Sequence, residues 1–102
     1  MPLRDEIAEL LRMPEDGVGA PTLDTIESTL TDGYAEALAL EAERSRIERR
    51  LGEVARDPSG EENLREFSRL AESLEDADKD LERLRTLLRD LQARRRVVRA
   101  AV

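Results

Sequence analysis

The stretch LREFSRLAESLEDADKDLERLRTLLRDLQARRRVV, residues 64–98, decides the fold. Stepping through it by threes and fours gives Phe67, Leu70, Leu74, Ala77, Leu81, Leu84, Leu88, Leu91, Arg95 and Val98. That is an a/d heptad seam with one charged interruption, and Asp, Glu, Lys and Arg fill most positions between. A helix written this way has one apolar stripe and needs a helical partner along it.

A matching ladder lies upstream: Leu23, Ile26, Leu30, Gly33, Ala37, Leu40, Arg44, Ile47, Leu51 and Val54. Both ladders span the same length, about 46 Å at a rise of about 1.5 Å per residue. Thr22 after Pro21 is placed to cap the first helix, with Asp24 in its first turn. Arg56-Asp57-Pro58 stops it, and Ser59-Gly60-Glu61-Glu62 has the Ser-x-x-Glu form of a capping box that starts the second. So short a connection makes the helices antiparallel neighbours. The expected fold is all-α: an antiparallel two-helix coiled-coil hairpin, with helices over about 22–56 and 60–100. With Val54 beside Phe67, Arg44 falls near Ala77 and the acids Asp76, Asp78 and Asp80. Gly33 then falls near Leu88, and Arg95 near Ile26 with Asp24 and Glu27. Gly33 costs roughly 1 kcal/mol relative to Ala in a helix interior; the expectation is a helix continuous through it.

Residues 1–21 form a separate N-terminal arm. Pro2 suits a first helical position, Asp5 and Glu6 suit the dipole of the first turn, and Leu3, Ile7, Leu10 and Leu11 share a face. Pro14 ends this short helix, and the Glu15 to Pro21 segment, with its two glycines, is a linker. A helix this short is marginal alone, so it either docks through Ile7, Leu10 and Leu11 or stays partly unfolded. In the docking-free case Leu3, Ile7, Leu10 and Leu11 would meet the groove of another protein.

Composition narrows the function. The chain has 102 residues, 40% of them charged and 2% aromatic, which suits long helices rather than a thick globular core. His, Cys and Trp are all absent. Thiol nucleophiles, Ser-His-Asp triads, common zinc sites and the Glu-x-x-His di-iron motif are therefore excluded. Carboxylates remain as metal ligands. Asp76, Asp78 and Asp80 share the spacing of a calcium loop, but Leu81 sits where the turning Gly belongs and the heptad runs straight through. Glu72 with Glu75, and Asp24 with Glu27, share the Glu-x-x-Glu type of spacing used by all-helical nucleotide pyrophosphohydrolases, without a second motif at a matching site. The expectation is no enzyme, no metal and no cofactor.

Two kinds of surface remain. The net charge is −7, yet Arg94, Arg95, Arg96 and Arg99 follow Gln92 with no acid among them. Basic side chains at a helix C-terminus complement its dipole, which accounts for one or two of the four. Helix-end chemistry is thus the first reading of the run, and the alternative is an end that binds an acidic protein or an anionic ligand. Nucleic acid ranks lower, because no aromatic residues accompany the arginines. The second surface is apolar and lies off the seam: Tyr34, Leu38, Leu64 and Leu87, with several alanines. It widens each helix face toward that of a bundle helix and leads to an expected homodimer, two hairpins making four helices. No apolar run approaches the ~20 residues of a membrane span, so a cytoplasmic protein is expected.

In outline the chain resembles helical-hairpin regulators of bacteria, among them coiled-coil anti-sigma factors that hold a sigma factor along their helices. It carries none of their ligand-binding signatures, so the likeness lies in the fold alone. It implies a regulator whose partner is a transcription factor, as the alternative to an adaptor of unspecified partner.

Overall fold

A computed structural model of the chain describes residues 2–15, 17–57 and 60–101. It is all-helical: α1 spans Pro2–Arg12, α2 spans Leu23–Ala55 and α3 spans Glu61–Ala101, and the described residues include no strand. The expected stop at Pro58, the Ser59 cap and the linker residue Asp16 all lie outside the described residues.

Local chemistry explains the helix ends. Thr22 caps α2 as its position requires: the Thr25 amide donates to Thr22 Oγ1 at 3.2 Å, and the Ile26 amide donates to the Thr22 carbonyl at 3.1 Å. At the start of α3, Gly60 takes φ = +100°, a backbone shape that side chains with a Cβ resist. Its carbonyl accepts from the Leu64 amide at 3.3 Å. Asn63 then reaches back to the far end of α2, its Nδ2 donating to the Asp57 carbonyl at 2.7 Å. That bond satisfies a carbonyl that the ending helix leaves without an amide.

The chain forms two compact units. One comprises Met1–Ala37 with Arg83–Val102, the other Leu38–Glu82. In the first, all three helices contribute to the core: Ile7 and Leu10 from α1, Ile26, Leu30 and Ala37 from α2, and Leu84, Leu88, Leu91 and Val98 from α3 are buried. Gly33 is buried in the same layer, and α2 is continuous through it. A methyl at Gly33 would overlap Leu88 Cδ2 and come within 3.7 Å of Ile7 Cδ1. The missing side chain is what lets α2 and α3 close together there, with Ile7 of α1 at ordinary contact distance. Arg95 lies 3.2 Å from Glu27, so the neighbours expected for both Gly33 and Arg95 are found.

In the second unit the core is thinner. Leu40, Val54, Ala77 and Leu81 are buried, whereas Ile47, Leu51, Leu70 and Leu74 on the same seams are only half-buried. Two helices cover one stripe, and α1 contributes nothing to this unit. Arg44 meets Asp78 at 2.6 Å and Glu48 at 3.2 Å. Its Nε is shielded from water yet aimed at neither oxygen, so the contact is coulombic rather than a formed hydrogen bond. Phe67, a seam position by its spacing, is 42% exposed. It sits nearly two turns into α3, close to where α2 ends at Ala55, and has too little helix opposite to cover it.

The two helical glycines of α2 respond oppositely to alanine. Nothing lies within 4 Å of a Cβ at Gly52, so Gly52→Ala should stabilise by about 0.5–1 kcal/mol through helix propensity alone. Gly33→Ala gains the same term but forces buried Leu88 from its place, at about 1–3 kcal/mol. Thermal melts should rise for Gly52→Ala and fall for Gly33→Ala.

Candidate functional site

The arginine-rich end of α3 divides into two pairs with different work. Arg94 is half-buried and points at the C-terminus of α1. Its Nη2 donates to the Leu11 carbonyl at 2.9 Å, and its Nη1 to the Met13 carbonyl at 2.8 Å and the Pro14 carbonyl at 3.4 Å. The end of α1 leaves carbonyls without intrahelical amides, and its dipole places partial negative charge there. One guanidinium answers both needs and clasps α1 to α3. Arg95, also half-buried, donates from Nε to Glu27 Oε1 on α2 at 3.2 Å. These two of the four candidate arginines hold the first unit together. Arg96 and Arg99 are exposed.

The seven apolar candidates are likewise divided. Ile7 is fully buried and Leu10 is 7% exposed, both in the core of the first unit, and Leu11 is half-buried beside them. Leu87 is half-buried in the same unit. Tyr34 is partly exposed, and its hydroxyl accepts from Gln92 Nε2. Leu38 and Leu64 stand 66% and 60% exposed in the second unit, the largest apolar exposures there. Leu64 and Phe67, with Val54, Ala55 and Asn63, line an open, mostly apolar recess of about 240 Å³.

Charged groups in the second unit tie its two helices together at the surface. Arg50 Nε donates to Glu66 Oε1 at 2.7 Å, and Arg50 Nη1 to Glu53 Oε2 at 3.1 Å. The Arg50 hydrogen bond holds the Glu66 carboxyl below its ordinary value, against a smaller opposing effect of desolvation. The bonds to Glu66 and Glu53 raise the Arg50 guanidinium in return. Asp78 is engaged by Arg44, and Lys79 pairs with Glu75 at 3.4 Å, so the acidic run of α3 is part of a helix surface. Among the described residues no polar side chain is buried and no group of three or more carboxylates is placed to hold a metal ion. No helix of the described residues is long and apolar enough to cross a membrane.

Sequence reasoning missed four of these contacts: Arg94 to the α1 carbonyls, Asn63 to the Asp57 carbonyl, Gln92 to Tyr34, and Arg50 to Glu66. The first two end on backbone oxygens, which carry no residue signature. Comparison with protein-family models, with curated proteins and with solved structures finds no match to this chain.

Removing the clasp should release α1 alone. Arg94→Ala should cost about 1–2 kcal/mol, the worth of charge-assisted hydrogen bonds discounted for partial exposure. Arg94→Lys, which cannot fork across three carbonyls, should recover little of it. Amide exchange should accelerate through residues 3–12 in both variants while α3 keeps its protection. A separate expectation concerns acid. Because the folded-state pKa of Glu66 is lowered, its contribution is present above the ordinary carboxylate value of 4.5 and lost as pH falls below it. The melting-temperature gap between the native chain and Glu66→Gln should therefore be open at pH 7 and close below pH 4.5.

Proposed function

We propose that the chain is a non-enzymatic interaction module, an antiparallel helical hairpin that works as a homodimer and presents its outer surfaces to another protein. One observation carries this reading: the first unit has a third helix to complete its core, and the second does not. Over residues 38–82 Ile47, Leu51, Leu70 and Leu74 of the seams stay half-buried, and Leu38, Leu64 and Phe67 face outward. A two-helix seam with an apolar flank of this kind gains most from a second pair of helices, which would turn it into a four-helix arrangement. The absence of His and Cys supports the non-enzymatic part of the proposal, since it removes the side chains that most often carry acid–base and nucleophilic chemistry near neutral pH.

The alternative is an anti-sigma-like regulator, or a regulator of anionic ligands, acting through the basic end of α3. Of the four arginines first assigned to it, only Arg96 and Arg99 have the exposure it needs.

Sedimentation equilibrium at micromolar concentration should give a dimer mass, and Leu38→Glu combined with Leu64→Glu should shift it to the monomer with most helicity retained. A native chain that sediments as a stable, well-folded monomer would overturn the dimer.

A further inference from the structure

Along the last turns of α3, Arg85, Arg89, Gln92, Arg96 and Arg99 recur at steps of four, three, four and three residues, and all five are exposed. That is the 3.5-residue period of a coiled-coil seam, so the five side chains leave the helix along one straight line of about 21 Å. Each follows by one residue a member of the inner ladder, Leu84, Leu88, Leu91, Arg95 or Val98. The line is thus a second seam on the flank of α3, displaced by one position from the first.

Its charge is one-sided. Residues 83–102 hold Arg83, Arg85, Arg89, Arg94, Arg95, Arg96 and Arg99 against the single acid Asp90. Arg94 and Arg95 are engaged within the unit. Among the described residues, Arg89, Arg96 and Arg99 have no carboxylate within ion-pair distance. Arg96 and Arg99, three residues apart on a helix, repel each other while no anion lies between them. Gln92 at the middle of the line is held by Tyr34, which brings an apolar edge beside the guanidinium groups.

We propose that this line is the docking seam for an acidic helix of a partner protein, one whose carboxylates recur at the same alternating steps. The inference rests on the interaction-module reading and not on the dimer. A straight rod with a 3.5-residue period meets another helix along its whole length, and the guanidinium groups of Arg89, Arg96 and Arg99 can each take a carboxylate in a two-point fork. A polynucleotide fits less well. Tyr34 is the single aromatic ring at the line, and stacking along a strand needs one at successive positions.

The test uses fluorescence anisotropy on the full chain with two labelled helical peptides of identical composition. One carries its glutamates on a four-three seam, and the other has them scattered round the helix; a DNA duplex of equal charge is the third probe. The seam peptide should bind about tenfold more tightly than the scattered one, as expected for several weak charge pairs acting in register. Arg89→Gln, Arg96→Gln and Arg99→Gln together should remove that preference with the thermal melt and the sedimenting mass unchanged. Equal binding of the two peptides, full affinity in the triple variant, or tighter binding of the duplex would overturn the proposal. So would a triple variant that changes the chain's own oligomeric mass, because the line would then serve a second copy. A native chain that sediments as a monomer but still prefers the seam peptide would strike the dimer alone and leave this inference standing.

Discussion

The first unit depends on one missing side chain. At Gly33 the backbone of α2 approaches Leu88 of α3 so closely that even a methyl group would intrude, while Ile7 of α1 would stand at ordinary contact distance. A glycine inside a helix is a weakness by intrinsic propensity, but here the loss is offset by the packing it permits. Leu84, Leu88 and Leu91 of α3 are all buried within the same unit, with Ile7 of α1 among them. The position that most weakens α2 as an isolated helix is the one that lets α2 close on α3.

The two units differ in how they solve the problem of a single apolar stripe. In the first, α1 adds a third surface, and charged groups then secure the arrangement: Arg94 on the end of α1, Arg95 on Glu27. In the second, the stripe is flanked by surface ion pairs instead, Arg50 with Glu66 and Arg44 with Asp78. Such exposed pairs contribute little each; they favour a register more than they hold a core. The proposed dimer follows from that contrast, and the proposed acidic partner follows from Arg89, Arg96 and Arg99, which have no carboxylate within ion-pair distance among the described residues.

Much of this was legible in the residues. The two leucine ladders, the Thr22 cap, and the meetings of Gly33 with Leu88, Arg44 with Asp78 and Arg95 with Glu27 all come from the 3.5-residue period and one choice of register. What periodicity could not show is where a long side chain turns when it leaves the ladder. Arg94 and Arg96 are alike in sequence context, two residues apart in a basic run, yet one clasps a distant backbone and the other faces solvent. The difference is that position 94 lies on the flank facing α1, a helix whose docking no local pattern specifies. Phe67 erred in the other direction: its spacing is that of the seam, but the seam ends beside it. The second, basic line on α3 was hidden because the run of Arg94, Arg95 and Arg96 draws the eye to adjacency, whereas neighbours on a helix are three or four residues apart.

The hydrogen bond from Arg94 to the Leu11 carbonyl joins residues 83 apart in the chain. During synthesis α1 is made well before the group that fastens it. At about 5–20 residues per second, every nascent copy passes seconds with α1 complete but unfastened, its Ile7 and Leu10 waiting for α3 residues not yet translated. Arrival of Arg94, rather than the folding of any one helix, is the event that closes the first unit.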